Sequence, residues 1–399
     1  MGAALAYRDF RVLWLGALTS SIGTWMQKVA QNWLVLSLAG TSSALYLGLD
    51  SFLGDLPILA LTLIGGVVAD RHDRRHLLIG SQAVQMASAF TLAGLVATGQ
   101  ARIWHVLALS AVTGCAQAFG GPAYQSLLPA LVQPTHLPNA VALNSIQFNL
   151  ARVLGPLVAG AALAAFGSAA CFGLNGLSFL AVIAALTSLT VPHVSSTRRS
   201  RMRDELKGGL LFVRGQPALL GLVALAFATT FLGTPLLTFL PLVAERVFGG
   251  GVRTYTVLMT CAGCGAVCGA MAVAWLGRTA RMGWMMLSVQ IAYGLLVCLF
   301  GLSQTFWLSA VLLVLTGSAM VMTTALLLSL VQLTAPTDLR GRVVSIYMVA
   351  LRGGLPLGSL AAGLVAGQWS APAVMVTNGL LLATVGIIFL VAVPRVRAL

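Results

Sequence analysis

Five ionisable side chains interrupt stretches that are otherwise apolar: Lys28, Asp50, Asp55, Arg152 and Arg352. Each costs ~2.5–3.5 kcal/mol at the centre of a membrane helix, so each is a candidate for function. A carboxylate beside an ammonium has a definite chemistry in such surroundings. Burial favours the neutral acid and the cation favours the carboxylate, so small structural changes load or release a proton. Asp55 is the first candidate for proton coupling, with Lys28 as its partner and Asp50 as the second acid. A static ion pair is the competing reading. Arg152 and Arg352 each stand four residues before a proline. Proline frees helix carbonyls that a guanidinium can satisfy, and a guanidinium equally suits an anionic ligand.

Lys28 belongs to a polar stripe, Ser20/Ser21, Thr24, Gln27/Lys28 and Gln31/Asn32. Its steps of three and four residues share one side of a helix, which faces either an aqueous cavity or neighbouring helices. Trp25 adjoins the stripe and offers a ring to a planar or cationic ligand. Asn144, Gln147 and Asn149 accompany Arg152, and Gln117, Tyr124 and Gln125 form a further polar group. The second half of the chain supplies hydroxyls instead, among them Thr230, Thr234, Thr260, Thr323, Thr324 and Tyr347, with Arg352 its one charge within an apolar run.

Other chemistries find less support. All six cysteines lie in apolar segments, which does not resemble a secreted disulfide framework. Cys261, Cys264 and Cys268 share a helix face and could ligate a metal, but they alternate with Gly263, Gly265 and Gly269, as a close-packing face would. No metal and no cofactor is expected. Neither H-E-x-x-H, G-x-S-x-G nor a Gly-x-x-x-x-Gly-Lys-Ser/Thr loop occurs, so neither a membrane enzyme nor direct use of ATP is expected.

The elements that hold these residues follow from composition. Hydrophobic residues make up 58% of the 399 and charged residues 8%, against roughly 25% charged in an ordinary soluble chain. Mean hydropathy is +0.94, so lipid must be the solvent. A bilayer core needs about 20 helical residues, and the apolar runs divide into twelve predicted spans, six between residues 12 and 192 and six between 217 and 393. The first span is too long and too interrupted by polar residues for a cleaved signal peptide. Counting ~1.5 Å per residue from span midpoints sets Lys28 at a depth between Asp50 and Asp55.

Charge sets the orientation. The net charge is +14, but the basic residues crowd into alternate loops: Arg102, Arg246 and Arg253 are the only ones on the opposite side. The positive-inside rule then makes both termini cytoplasmic, and the excess charge is a topology signal that also attracts anionic lipid. Without a basic soluble domain, nucleic acid is not an expected partner. Seven of the eight tryptophans sit near span ends, as interfacial anchors; Trp25 is the exception.

The chain reads as two halves, with domains at 1–192 and 217–399 and a hydrophilic cytoplasmic linker at 193–216. Leu131-Val132-Gln133 recurs as Leu330-Val331-Gln332, Pro134-Thr135-His136-Leu137 as Pro336-Thr337-Asp338-Leu339, and the Arg152 to Pro156 segment as Arg352 to Pro356. The offsets are nearly constant and in the same order, as in transporters built from internal repeats.

Between the second and third spans the sequence runs Gly66-Val-Val-Ala-Asp70-Arg71-His72-Asp73-Arg74-Arg75. This resembles the loop signature of the major facilitator superfamily, Gly-x-x-x-Asp-Arg-x-Gly-Arg-Arg, with Asp73 where glycine is usual. Asp338-Leu-Arg340-Gly341-Arg342, Arg152-x-x-Gly155-Pro156 and Leu206 to Arg214 are similar to the exporter branch that includes enterobactin-type siderophore exporters and drug exporters. The resemblance implies an all-α membrane protein with twelve transmembrane helices in two pseudo-symmetric six-helix bundles. It makes the first span a wall of the central cavity, with Thr24, Trp25, Gln27, Gln31, Gln117, Tyr124, Arg152 and Arg352 as substrate-binding candidates. It also places Asp70 beside the start of the eleventh span, where a carboxylate meets the positive end of a helix dipole. Gly66, Asp70, Arg71, Arg74, Arg75, Arg340 and Arg342 would then form a cytoplasmic gate; the alternative is that the arginines are topology signals alone. The function implied is a monomeric secondary exporter of the inner membrane, moving an amphipathic siderophore, drug or metabolite by alternating access against protons. A lysophospholipid flippase-like or uptake role on the same fold is the alternative within transporters, and a non-transporting sensor the alternative outside them.

Overall fold

The computed structural model describes residues 2–189, 202–277 and 281–397, with the side chains of residues 63, 70 and 202–208 outside the description. The Asp70 side chain and linker residues 193–201 therefore lie outside the described residues. Lipid offers a backbone amide no partner, so a spanning segment must satisfy its own hydrogen bonds, and helix is the local solution. The helices are α1 (Arg8–Ala39), α2 (Ser43–Arg71), α3 (Arg74–Ala97), α4 (Ile103–Leu127), α5 (Leu137–Thr187), α6 (Met202–Gly215), α7 (Pro217–Gly233), the short α8 (Pro235–Thr238) and α9 (Leu240–Arg246), α10 (Gly251–Leu276), α11 (Met282–Leu302), α12 (Phe306–Thr334), α13 (Arg340–Ala366), α14 (Ala371–Ala392) and α15 (Pro394–Arg397). No strand occurs among the described residues.

Among the described residues ten stretches, rather than twelve, are long and apolar enough to cross a membrane. Two of the ten, Arg8–Thr62 and Pro134–Thr187, run 55 and 54 residues, where about 20 suffice for one crossing. Neither is one straight helix. Gly40 (φ 53°) closes α1, and Gly167 (φ 76°, ψ −176°) breaks α5 into two helices at a backbone conformation that only glycine adopts freely. Each of the two stretches therefore contains two helices, divided at Gly40 and at Gly167.

The chain forms two compact units. Unit 1 comprises Met1–Tyr46 and Leu53–Thr197; unit 2 comprises Leu47–Phe52 and Arg198–Leu399. Within unit 1, α1 runs along α5, and α3 packs on α4 and α5. Within unit 2, α7 runs along α13, α10 along α12, and α11 along α12 and α14. Each unit has a buried apolar cluster, with Phe10, Leu13, Leu78, Leu127, Phe179 and Leu186 in the first and Leu219, Met286, Leu330, Val343, Tyr347 and Val396 in the second. The two clusters join corresponding ends of corresponding helices, as an internal repeat requires. The segment 193–216, expected as a linker, includes α6, which packs Gly209 against Arg342 and Ile346 of α13 and buries Val213.

Trp104, Trp275, Trp284, Trp307 and Trp369 are all more than half exposed and lie at or near helix ends, where an amphipathic ring suits the headgroup layer. On α10 the close-packing face is made by the glycines: Gly265 and Gly269 press on the Val314 and Ser318 carbonyls and leave no room for a Cβ. Cys264 and Cys268 are exposed instead, and Cys261 is half-buried. Among the described residues no three His, Cys, Asp or Glu side chains are placed to hold a metal.

Gly269→Leu should push α10 off α12, since overpacking of this kind costs about 1–3 kcal/mol or more. The expected result is a lower thermal midpoint in detergent, read by size-exclusion after heating, with Cys268→Leu at the exposed neighbouring position leaving the midpoint unchanged.

Candidate functional site

The polar stripe of α1 divides its side chains among three neighbours. The Gln147 amide donates to Ser21 Oγ at 3.0 Å, the Asn175 amide to Gln27 Oε1 at 2.7 Å, and the Gln31 amide to Ser110 Oγ at 2.8 Å. These bonds tie α1 to both parts of α5 and to α4. Bonds of this type contribute ~0.6–2 kcal/mol in a membrane. Ser21, Gln27 and Gln31 are thus engaged as interhelical fasteners. Ser20 and Asn32 are buried, whereas Thr24 is exposed and donates to the Ser20 carbonyl of its own helix at 2.9 Å. Tyr124 extends the network, donating to Asn144 Oδ1 at 2.9 Å and Gln147 Oε1 at 3.4 Å. Gln117 is exposed and does not join it.

Beside the stripe, α5 brings a cation and a second ring to Trp25. The Arg152 guanidinium carbon lies 5.7 Å from the Trp25 ring centroid, and Phe148 meets Trp25 edge-on at 6.2 Å and 72°. Gly155 permits this approach, because a Cβ there would strike the Trp25 Cβ. Phe148, Arg152 and Gly155 are separated by one helical turn each, so a single face of α5 delivers all three. Phe148 is 55% exposed, and the group presents charge and π surface together. A cation over an aromatic face contributes about 0.5–2 kcal/mol, and the pair is suited to a planar or anionic group.

Lys28 and Asp55 are both half-buried, and among the described residues no ion pair joins them. A fixed salt bridge between these two is therefore not what the structure holds. An ammonium at this position draws on water or on a mobile partner, because lipid cannot solvate it. Asp50 is 3% exposed, lies in the Leu47–Phe52 segment that groups with unit 2, and has a partner.

In the loop after α2, Asp73 replaces the expected glycine and caps α3, accepting the backbone N–H of Arg75 at 2.8 Å and of His76 at 3.2 Å. Arg74 donates to the Ser126 carbonyl near the end of α4 at 3.1 Å. Arg75 donates to the Thr187 and Leu189 carbonyls at the end of α5. A cation at a helix C-terminus meets the negative end of the dipole, so both arginines fasten helix ends within unit 1. Arg71 is exposed and Gly66 has open space about it. Arg340 and Arg342 are exposed in the first turn of α13.

Unit 2 is arranged differently. Arg352 is exposed, with no ring beneath it among the described residues. Phe227 and Phe231 stack at 5.4 Å on α7, and Tyr347 donates to the Thr324 carbonyl at 3.0 Å. Gln290 is wholly buried near Thr229, with no partner for its Nε2. Ser110, Asn175, Phe148 and Gln290 were not singled out from sequence. The first two and Gln290 carry the same signal as the α1 stripe, polarity within an apolar span; Phe148 carries none.

Two repeated, membrane-crossing units whose described residues form helices and no strand, with ionisable groups and a polar face inside one of them, have the build of a major facilitator transporter. The chain belongs to the transmembrane secretion effector family of that superfamily, whose model matches residues 2–399. It is 26% identical over 255 residues to the staphyloferrin A transporter of Staphylococcus aureus, covering 62% of each chain. It is 23% identical over 397 residues to the enterobactin exporter EntS of Shigella boydii, covering 99% of this chain and 92% of that one. Among solved structures, a bacterial homologue of the human lysosomal transporter Spinster superposes with a TM-score of 0.77 at 14% identity, covering 98% of both chains. The nucleoside transporter NupG gives 0.72 at 16% identity, over 96% of this chain and 98% of that one. The protein is a multi-pass membrane transporter of a small molecule.

Asn175→Leu leaves the Gln27 amide without its donor and should lower stability by about 1–2 kcal/mol. Thermal unfolding in detergent should show the loss, and the double variant with Gln27→Leu should recover part of it.

Proposed function

We propose that the protein is a secondary exporter, moving an amphipathic small molecule outward by alternating access in exchange for protons. The observation that carries this reading is the pair of half-buried ionisable groups, Lys28 and Asp55, in a membrane-crossing unit with no ion pair between them. A carboxyl so placed can exchange a proton as its surroundings change. One charge moved across 100 mV is worth ~2.3 kcal/mol, enough to drive appreciable accumulation. Thr24, Trp25, Phe148 and Arg152 form the surface that meets the solute, and Arg352 is the cation offered by the second unit. The enterobactin exporter, alike over nearly the whole chain, and the staphyloferrin A transporter support a siderophore or similar metabolite as substrate.

The topology we propose has twelve crossings, counting each of the two double-length stretches twice, and places both termini in the cytoplasm of an inner membrane. The functional domains are 1–192 and 217–399, joined by 193–216. Asp70, with Arg71, Arg340 and Arg342, serves as the cytoplasmic gate on the strength of the loop signature. Arg74 and Arg75 support it by holding the helix ends around the loop.

Proteoliposomes test the coupling directly. Addition of the transported siderophore should release a proton flux, read with a pH-sensitive dye, and Asp55→Asn should abolish the flux while the protein still elutes as a folded species. Retained proton dependence in that variant would remove Asp55 from the role. Asp70→Ala should cut transport by tenfold or more, on the order of 1.4 kcal/mol in the gating equilibrium, with expression unaffected. Undiminished transport would leave the loop as a topology signal only.

A further inference from the structure

Unit 2 has a crevice of its own. It is a cavity of ≈ 280 Å³ between α7, α13 and α14, with Phe231, Ala361, Val365, Trp369, Asn378 and Leu381 in its lining. Its form comes from residue size. Gly358 of α13 presses on the Phe231 carbonyl and pins α13 to α7, while the small side chains of Ala361 and Ala362 leave the space beside α14 unfilled. The lining is almost wholly apolar, and all three helices belong to stretches long and apolar enough to cross a membrane. Its exposed residues, Val365, Trp369 and Leu381, are apolar, as suits a surface that meets lipid. A space with such walls is too apolar to hold ordered water.

Two residues give the crevice a direction. Trp369, 61% exposed, lies between the end of α13 and the start of α14, and an indole at such a position marks the headgroup level. Asn378 lies seven residues into α14, a depth of ~10 Å, near the boundary between lipid ester groups and acyl chains. The neighbouring Thr377 hydroxyl is satisfied by the Ala373 carbonyl at 2.9 Å. No hydrogen bond to a described residue engages the Asn378 amide. An amide so placed among apolar walls lacks an acceptor for its protons.

We propose that this crevice is a phospholipid site: one acyl chain lies along α13 between α7 and α14, and the Asn378 amide donates to an ester carbonyl of the same lipid. Both features are then accounted for together, since the chain fills the apolar space and the ester supplies the acceptor that the protein lacks. The site is built from residues of unit 2 alone.

Reconstitution of the full chain into nanodiscs containing a phospholipid with a photoreactive acyl chain tests the assignment, with cross-linked peptides mapped by mass spectrometry. Label should concentrate on the peptides around Phe231, Ala361 to Trp369 and Val374 to Leu381, well above the exposed face of α10. Ala361→Phe fills the space and should remove the excess. Asn378→Leu keeps the space but removes the donor, and should lower occupancy by about tenfold, the worth of one hydrogen bond. Leu380→Phe, on an exposed position of α14, should change nothing. Label spread evenly over all lipid-facing helices overturns the proposal, as does excess label that survives both Ala361→Phe and Asn378→Leu. Label from a photoreactive free fatty acid but not from the phospholipid would overturn the assigned occupant, and cross-links between two copies through α14 would assign the crevice to a second chain. If Ala361→Phe fails to fold, Asn378→Leu alone decides: unchanged labelling refutes the role of the amide.

Discussion

A hydrocarbon solvent gives a polar group nothing to bond with, and the rest of this structure follows from that constraint. Backbone amides are satisfied within helices, and side-chain polarity has only a few places to go. On α1 the outcome can be followed residue by residue. Ser21, Gln27 and Gln31 find partners on three different helix segments. Thr24 turns back to its own helix, and Trp25 takes its cation from α5. Lys28 and Asp55 remain. The same stripe therefore fastens unit 1 together and also carries the half-buried Lys28.

The two units share a plan without sharing a chemistry. A glycine near the proline of α5 admits Trp25, and glycines around the corresponding proline of α13 press on Thr230 and Phe231. In unit 1 the arginine one turn earlier stacks on that ring; in unit 2 its counterpart is exposed. Duplication preserved the helix crossing, which is set by small residues and backbone. What stands over the crossing is free to differ because it does not hold the helices together.

Much of this was legible in the sequence because lipid makes contrast sharp. Five charges in apolar runs, the basic loops, the spans and the repeat all stand out against a composition that is 58% hydrophobic. The losses have physical reasons too. Phe148 is an aromatic in an apolar stretch and has no contrast to show, although it shapes the surface around Trp25. Arg74 and Arg75 stand out in the sequence as basic residues beside an apolar run, but their acceptors are backbone carbonyls 52 to 114 positions away, and a carbonyl has no residue identity by which to be found. The crevice in unit 2 is an absence of side-chain volume, which emerges only once three helices are packed.

The Arg75 bonds have a consequence in time. Their acceptors follow the arginine by 112 and 114 residues, and at synthesis rates of about 5–20 residues per second the ribosome needs on the order of 6–20 s to supply them. For that interval the arginine is free, and its charge can hold the loop on its own side of the membrane while the next crossings are threaded. Once residues 187 and 189 have emerged, the same guanidinium closes on the end of α5. The guanidinium thereby acts as a latch, and unit 1 cannot be completed before its last helix is made.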